Sequence, residues 1–422
     1  MLLAMIFSCV FFFLLSFLLC KKNPIDLYFL VFIFIALFAF PLFLGELPGN
    51  NYIPAQKIDP LLYVFFSFSL FTTVLISFFY SLKIKPALNI YSKKHPIHVV
   101  NGLDDKIFFY ILITLFVIVL AVYFSSQTGV VVSKSDVLKS AGFKLVLLET
   151  IAIILVVYSF IRMNKYYVYL SYICVLVVFF LFGVRSVIVI SSLALIFFKL
   201  NSKNSITIPQ IMLLFIGTLF ALFLIIILKP IYGYLLGDKS DLLFFISKVI
   251  SEGGLISGVE FLMTQHIFNA VVISDFMVSW WEVPISLLCI SPIPTEFFGF
   301  SSSIFNDFFQ PALYSHVPYG MAYNPWAEAY SWGGCLGLFI YLYIVMFNIT
   351  LLQSYIDKKP SAPFLPLIII ISIFTVFYFH RNSIGSYLAY LRNYLYLYLF
   401  VWIAVRVCKQ FLTKKGYSHE RK

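Results

Sequence analysis

The chain has 422 residues, of which 62% are hydrophobic and only 11% are charged, and its mean hydropathy is +0.99. A water-soluble fold needs a charged exterior, so this composition excludes soluble enzymes and indicates a protein solvated by lipid. The formal net charge of +11 does not indicate nucleic-acid binding, because the basic residues lie at the ends of apolar segments rather than along one face. We therefore interpret them as markers of membrane topology.

Apolar segments recur along the whole chain. They predict eleven membrane-spanning helices, at residues 2–20, 27–44, 61–82, 107–124, 145–161, 167–182, 187–198, 211–228, 334–352, 364–379 and 394–407. The first segment is followed by Lys21 and Lys22 and has no basic leader or small-residue cleavage site, which predicts a retained span rather than a signal peptide. Residues 167–199 could instead form a single over-long helix.

The distribution of basic residues favours a turn at Arg185, and hence eleven spans. With that turn, one side of the membrane receives only ten of the 29 lysines and arginines: Lys57, Lys134, Lys139, Lys144, Arg185, Lys229, Lys239, Lys248, Arg381 and Arg392. A single merged helix would divide the basic residues evenly and leave Arg185 in lipid. Because basic residues concentrate in cytoplasmic loops, we expect the N-terminus outside and the C-terminus inside.

These spans predict an all-α, polytopic transmembrane helical bundle in three parts. Residues 1–228 hold spans one to eight, residues 229–333 form one large extracytoplasmic loop, and residues 334–422 hold spans nine to eleven and a cytoplasmic tail. Polar residues at helical spacing within 254–277 predict a short amphipathic helix on the membrane surface. The aromatic-rich residues 297–332 predict a stacking surface.

Three arginines are the sharpest candidates for a binding site. Arg185, Arg381 and Arg392 each lie near a short outward connection, where basic residues are otherwise sparse. An arginine at membrane depth is costly unless it is paired or lines a wet cavity. Its planar guanidinium fits phosphate oxygens in a bidentate manner, which favours an anionic, lipid-linked ligand. The alternative is that these arginines reach lipid headgroups or pair with a carboxylate such as Glu149 or Glu328.

Glu328 and His316 are the candidates for acid–base chemistry. Glu328 precedes the ninth span, where it could act as a general base or only complement the positive end of a helix. His316 lies in the aromatic segment and could titrate near neutral pH, although a lone histidine is more often structural. His266 and His380 are weaker candidates of the same kind. We find no metal-ligand spacing and no nucleotide or serine-hydrolase motif, so we expect neither a metal nor a cofactor.

The layout and three stretches of this sequence resemble the Wzy-type O-antigen polymerases, which join oligosaccharide repeat units outside the bacterial inner membrane. The stretches are Phe-Gly-Val-Arg at 182–185, Asn-Pro-Trp-Ala-Glu-Ala-Tyr at 324–330, and the final arginine loop from Arg381 to Arg392. The late, dominant outward loop adds to the resemblance over most of the length. This chain has one large loop where the better-known members have two.

The resemblance implies transfer of a growing glycan from undecaprenyl diphosphate to the non-reducing end of an incoming lipid-linked repeat unit, without a metal. By position, Arg185, Arg381 and Arg392 would hold the donor diphosphate, and Glu328 or His316 would activate the acceptor hydroxyl. It also implies an inner-membrane protein with a periplasmic N-terminus, and a flippase and a chain-length regulator as partners. No nucleic acid is expected.

Three alternative functions remain open from the sequence. A flippase for lipid-linked oligosaccharides would have a similar size, but it would typically show two related halves and short loops. A ligase that transfers finished glycan to a lipid A core would share the chemistry of a polymerase. A channel or scaffold is the remaining possibility.

Overall fold

The computed structural model is almost entirely helical. It describes residues 26–49, 52–84, 102–125, 134–201, 260–279, 281–293, 299, 304–317, 323–358 and 363–419. Within them the helices are α1 Leu27–Ala39, α2 Pro60–Phe79, α3 Leu103–Ser125, α4 Lys134–Arg162, α5 Lys165–Phe182, α6 Ser186–Asn201, α7 Glu260–Ile273, α8 Glu282–Leu288, α9 Ile304–Leu313, α10 Pro325–Lys358, α11 Leu365–Tyr378 and α12 Ile384–His419.

Two short irregular turns and one small sheet complete the described elements. A 3-10 turn, Phe40–Leu44, extends α1, and a π turn, Tyr80–Ile84, extends α2. The strands β1 Glu46–Leu47 and β2 Gln56–Lys57 pair antiparallel, with Glu46 opposite Lys57.

Seven helical segments in the described residues are long and apolar enough to cross a membrane. They are Leu27–Leu44, Pro60–Leu82, Leu103–Ser125, Gly142–Arg162, Lys165–Phe182, Pro325–Lys358 and Ile384–Phe411. Two further predicted spans correspond to the shorter apolar helices Ser186–Asn201 and Leu365–Tyr378. The predicted spans at 2–20 and 211–228 lie outside the described residues. The chain is therefore a helical protein with several segments suited to a bilayer.

Local sequence signals set several helix ends. The carboxylate of Asp26 accepts a hydrogen bond from the amide of Phe29 at the start of α1, at 2.9 Å. Asp59 caps α2 in the same way, with Pro60 as the first helical residue. Gly183 ends α5 at a φ of +65°, a left-handed conformation that favours glycine. The turn predicted at 183–186 is thus confirmed as the break between α5 and α6.

Helix α4 lies at the centre of the bundle. It packs against α3, α5, α6, α11 and α12, and its residues 151–157 are all buried. A helix that is apolar on every side can be buried only by neighbours on every side, which explains this position. Near its far end, Tyr158 and Arg162 both contact the buried carboxylate of Asp105, at 2.6 and 3.2 Å. This ion pair joins α3 to α4.

Three connections that are distant in sequence lie at one end of the bundle. Asn269 of α7 contacts the chain around β2, where its amide nitrogen donates to the carbonyl of Lys57 at 2.9 Å. The ring of Phe38, near the end of α1, stacks on His380 between α11 and α12, with a centroid distance of 4.9 Å. Trp326, at the start of α10, also contacts His380. The β1–β2 hairpin, the start of α10 and the α11–α12 connection therefore share one end of the bundle.

The prediction of a surface helix at 254–277 is wrong for α7, which is buried within the protein. It packs against α1, the 3-10 turn that follows α1, and α10, and the polar side chains of Thr264, Gln265, His266 and Asn269 are buried. Several of these polar residues bind the hairpin rather than water or lipid headgroups: His266 Nε2 lies 2.9 Å from the carbonyl of Pro48. The amphipathic pattern therefore reflects polar partners inside the protein.

Three aromatic residues of the 297–332 segment differ from the predicted stacking surface, although Phe308 is exposed. Phe305, Phe309 and Trp326 are buried, and the rings of Phe305 and Phe309 stack on each other at 4.9 Å. They belong to the protein core, so they do not form an open stacking surface.

Helix α10 starts earlier than the predicted span and is broken near its start. The break lies at Gly333 and Gly334, and Gly334 has a φ of +60°. It separates an eight-residue outer part, 325–332, from a long inner part, 335–358. The amide of Val278 donates to the carbonyl of Ser331 at 2.9 Å, which satisfies a carbonyl group that the break leaves free. Gly333 itself is exposed, so this hydrogen bond covers only one backbone group of the break.

The break brings Gly337 against the outer part of the same helix. A Cβ atom on Gly337 would collide with the carbonyl of Ala329, whereas a Cβ atom on Gly333 would meet nothing within 4 Å. We expect Gly337→Ala to lower the free energy of unfolding by about 1–3 kcal/mol, because the two parts of α10 must separate to admit a methyl group. Gly333→Ala is the matched control and should change it little. Thermal unfolding in detergent measures both, and equal melting temperatures for the two variants would contradict the observed close approach.

Candidate functional site

Asn324 fixes the start of α10. Its side-chain oxygen accepts from the amides of Trp326 and Ala327, at 2.8 and 3.1 Å, as an N-cap residue does. Its side-chain nitrogen donates to the carbonyl of Thr264 at 2.7 Å. One buried amide thus closes the first turn of α10 and attaches it to α7. The side chains of this turn are consequently held in fixed directions.

Glu328 projects from that turn and contacts two other segments. Its carboxylate accepts from the amide of Ile384, the first residue of α12, at 2.6 Å and from the hydroxyl of Ser286 on α8 at 3.5 Å. The residue is only 1% exposed. A carboxylate is stabilised at the positive end of a helix, and Glu328 lies both in the first turn of α10 and against the first amide of α12. We call Glu328, Ser286 and the connection 379–384 the junction.

Glu282 adds a second carboxyl group beside the junction. It lies one helical turn before Ser286 on α8, and it interacts electrostatically with Glu328. Its Oε2 atom is buried and has no hydrogen-bond partner among the described residues. Burial raises the pKa of Glu282 above its ordinary value. Burial thus opposes the ionisation of Glu282 beside the second carboxyl group.

His380 lies on the other side of the first turn of α10. Its Nδ1 atom accepts from the indole nitrogen of Trp326 at 2.9 Å, so the neutral ring carries its proton on Nε2. The ring is fully buried between aromatic groups that include Phe38 and Phe379, and burial holds the pKa of His380 well below its usual value. His380 Nε2 has no partner among the described residues. This histidine is neutral and held by its aromatic neighbours.

Arg381 follows His380 and lies against aromatic rings. Its guanidinium carbon is 5.7 Å from the ring centre of Phe377 and 5.9 Å from that of Tyr378. Tyr378 stacks nearly parallel to Tyr390 of α12, at 6.2 Å, and Tyr390 interacts electrostatically with both Glu149 and Arg381. A guanidinium group, a carboxyl group and aromatic faces therefore meet where α11, α12 and α4 come together.

Arg392 is the most buried of the three arginines. It is 7% exposed, and its Nη1 atom has no hydrogen-bond partner in the described part of the chain. Its Nε atom has a long contact with the side chain of Asn393, at 3.4 Å. Arg392 lies eight residues into α12, or roughly 12 Å of helix from Ile384. A buried guanidinium group with a free donor is expected to bind an anion or a polar group.

Arg185 and His316 occupy different positions around the same end. Arg185 directly precedes α6, is half-buried, and its carbonyl accepts from the amide of Val189. Since α6 and α11 pack together, Arg185 and Arg381 belong to the same end of two adjacent helices. His316 is exposed, and its Nε2 atom lies 2.8 Å from the carbonyl of Tyr52 in the β1–β2 hairpin. Its contact is thus with the hairpin, whereas Glu328 contacts α8 and α12.

Several residues that hold this site together were not predicted from the sequence. Ser286, Glu282 and Trp326 were not candidates, and His380 was only a weak one. Two signals were present in the sequence: Asn324 directly precedes Pro325, a typical helix start, and Ser286 follows Glu282 at helical spacing. Neither signal indicates which distant segment would be the partner. Among the described residues, no group of three or more His, Cys, Asp and Glu side chains could hold a metal ion.

Comparisons with known proteins identify no relative: no family model, no curated protein and no solved structure matches this chain.

The double role of Asn324 makes its side chain a test of the site's rigidity. We expect Asn324→Ala to lower the free energy of unfolding by about 2 kcal/mol, because a helix cap and a buried hydrogen bond are lost together. The matched control is Asn348→Ala in the same helix, since exposed Asn348 donates only to the carbonyl of Ile344. It should cost less than about 0.5 kcal/mol. Titration with denaturing detergent measures both values, and similar losses would show that Asn324 does not fix this turn.

The burial of Glu282 predicts a pH dependence of stability. A raised pKa in the folded state means that the stabilising contribution of the protonated carboxyl is complete at acid pH and is lost as the pH rises through that raised value. The melting temperature of wild type should therefore fall relative to that of Glu282→Gln as the pH rises above about 4, the ordinary pKa of a glutamate. Glu46→Gln, which changes an exposed carboxylate of β1, is the control. A constant difference between wild type and Glu282→Gln over this range would contradict the burial of the carboxyl.

Proposed function

We propose that this protein is an integral-membrane glycosyltransferase that polymerises lipid-linked oligosaccharide repeat units. In the proposed reaction, the bond between the anomeric carbon of the donor glycan and its undecaprenyl diphosphate breaks. A new bond forms from that carbon to a hydroxyl oxygen of the acceptor repeat unit. The hydroxyl proton goes to a base of the protein, and undecaprenyl diphosphate leaves with the bonding electron pair. The resemblance of the sequence to the Wzy-type polymerases suggests this reaction.

The observation that carries the proposal is the burial of Arg392, whose Nη1 atom has no hydrogen-bond partner among the residues that the structure describes. A positive charge among apolar helices costs several kcal/mol unless an anion or a wet cavity compensates for it. A diphosphate group offers oxygens that match the guanidinium fork, and its negative charge grows as the glycosidic bond breaks. Arg392 is therefore suited to stabilise the leaving group more strongly in the transition state than in the ground state.

Arg381 and Arg185 support the same role from the end of the bundle. Arg381 lies beside the Tyr378–Tyr390 pair, and aromatic faces are suited to pack against the apolar faces of sugar rings. Arg185 lies at the N-terminus of α6, where the helix dipole adds positive potential. In this proposal the arginines bind the donor diphosphate, and the aromatic cluster lies beside the first sugars.

Glu328 and His316 remain the proposed bases. Glu328 is buried and accepts two hydrogen bonds, and Glu282, with which it interacts electrostatically, is half-buried. His316 is exposed and lies against the hairpin. A proton from the acceptor hydroxyl goes to His316 directly or to the Glu328–Glu282 pair. No metal takes part in this proposal.

The proposed location is the inner membrane of a bacterium, with the N-terminus in the periplasm and the C-terminus in the cytoplasm. The excess of basic residues in one set of connections supports this orientation. The junction then faces the periplasm. The proposed partners are donor and acceptor glycans on undecaprenyl diphosphate, a flippase that delivers them, and a regulator of chain length.

Replacement of the arginines tests the proposal directly. In a deletion strain complemented with Arg185→Gln, Arg381→Gln or Arg392→Gln, we expect surface polysaccharide to fall at least tenfold, because the leaving diphosphate loses a charge-assisted hydrogen bond. Arg406→Gln is the matched control, since exposed Arg406 lies on the ring of Trp402 near the other end of α12. Gel analysis of the polysaccharide, with immunoblots of membrane fractions, measures product and protein together.

The products that accumulate in the deletion strain separate the candidate functions. Glycans limited to a single repeat unit indicate a polymerase. Lipid-linked repeat units trapped on the cytoplasmic face indicate a flippase, and finished glycan that is not attached to lipid A indicates a ligase. Full product in all three arginine variants, at normal protein levels, would exclude diphosphate binding by these residues.

A further inference from the structure

Two hydrogen bonds join the first turn of α10 to the connection between α11 and α12. The indole nitrogen of Trp326 donates to His380 Nδ1 at 2.9 Å, and the amide of Ile384 donates to the carboxylate of Glu328 at 2.6 Å. Trp326, Glu328 and His380 are each 1% exposed. Since water does not compete for buried groups, both bonds contribute to holding the connection in place.

The two bonds act on different sides of the helix. Trp326 and Glu328 are two residues apart, and side chains at that spacing leave an α-helix in nearly opposite directions. The connection 379–384 therefore passes around the first turn of α10, fixed by His380 on one side and by Ile384 on the other. Arg381 lies between these two fixed points.

His380 is constrained so that only one of its ring nitrogens can accept the Trp326 bond. Phe38 stacks on its face with an interplanar angle of 19°, and the ring centre of Phe379 is 3.6 Å away. Protonation of Nδ1 would remove the acceptor, and burial opposes it. The ring is thus held as a neutral acceptor directed at Trp326.

We propose that His380 is a positioning residue, which fixes Arg381 relative to Glu328 by accepting the hydrogen bond from Trp326. This inference rests on the proposed function, in which Arg381 binds the donor diphosphate. His380 touches no substrate. It acts through the connection 379–384, which keeps the guanidinium of Arg381 over the rings of Phe377 and Tyr378.

Two substitutions of His380 separate its two nitrogens. Asparagine places a carbonyl oxygen near the position of Nδ1 and keeps the acceptor for Trp326, whereas glutamine places its amide nitrogen near Nε2 and removes that acceptor. Trp326→Phe removes the donor and keeps an aromatic ring. Trp402→Phe is the matched control, because Trp402 packs on Arg406 and Phe364, away from the junction.

The first measurement is hydrogen exchange at the amide of Ile384 in the purified, full-length protein, followed in the peptide that contains it. We expect exchange to become about tenfold faster in Trp326→Phe and His380→Gln, and to stay within about twofold of wild type in His380→Asn and Trp402→Phe. A peptide from residues 151–158 of α4 serves as the internal reference for global unfolding. Equal exchange in His380→Asn and His380→Gln would overturn the role of Nδ1.

The second measurement is surface polysaccharide from the deletion strain complemented with the same variants. We expect product to fall at least tenfold in Trp326→Phe and His380→Gln, and His380→Asn to restore it. Faster exchange with unchanged product would overturn the positioning role. The proposed function is judged separately, by comparing wild type with the deletion strain: unaltered polysaccharide there refutes the polymerase, while the exchange data still decide whether the Trp326–His380 bond fixes the connection.

Discussion

The carboxylate of Glu328 is the constraint on which the arrangement of the junction depends. A buried carboxylate requires hydrogen-bond donors, and here they come from the first amide of α12 and from a hydroxyl of α8. These donors lie 56 residues after and 42 residues before Glu328 in the sequence. The hydrogen bonds of the Glu328 carboxylate therefore require α10, α8 and the start of α12 to meet at one point. Because Arg381 lies three residues before Ile384, this contact also restricts the position of Arg381.

Much of the bundle could be predicted from the sequence, because apolar runs of sufficient length have few alternatives in lipid. The run at 27–44 coincides with the observed segment Leu27–Leu44, and the run at 167–182 with α5. The distribution of basic residues predicted the turn after α5, and the structure shows that Gly183 ends this helix in the left-handed conformation. The start of α10 was placed too late because its outer part ends in glycines, although Asn324 and Pro325 form a recognisable helix start.

The site itself could be predicted only in part. Glu328, Arg381 and Arg392 were visible as charged residues near apolar segments, but their partners depend on pairings between distant segments. Trp326 meets His380 across 54 residues, and Asn269 meets the hairpin across more than 200. The burial of α7 could not be predicted for the same reason. Polar residues at helical spacing give the same sequence pattern whether they face water or form hydrogen bonds inside the protein. The partners of the α7 side chains are distant in sequence, so the sequence does not identify them.

The interruption of α10 at Gly333 and Gly334 has a mechanical consequence. The inner part of the helix presents exposed apolar side chains such as Leu336 and Tyr343, so it must follow the thickness of the surrounding bilayer by tilting. If the helix were continuous, a change in the tilt of residues 335–358 would also move residues 325–332. The two glycines interrupt the helix, and residues 325–332 are held by their own contacts. We therefore expect lipid composition to change the tilt of residues 335–358 without displacing the carboxylate of Glu328.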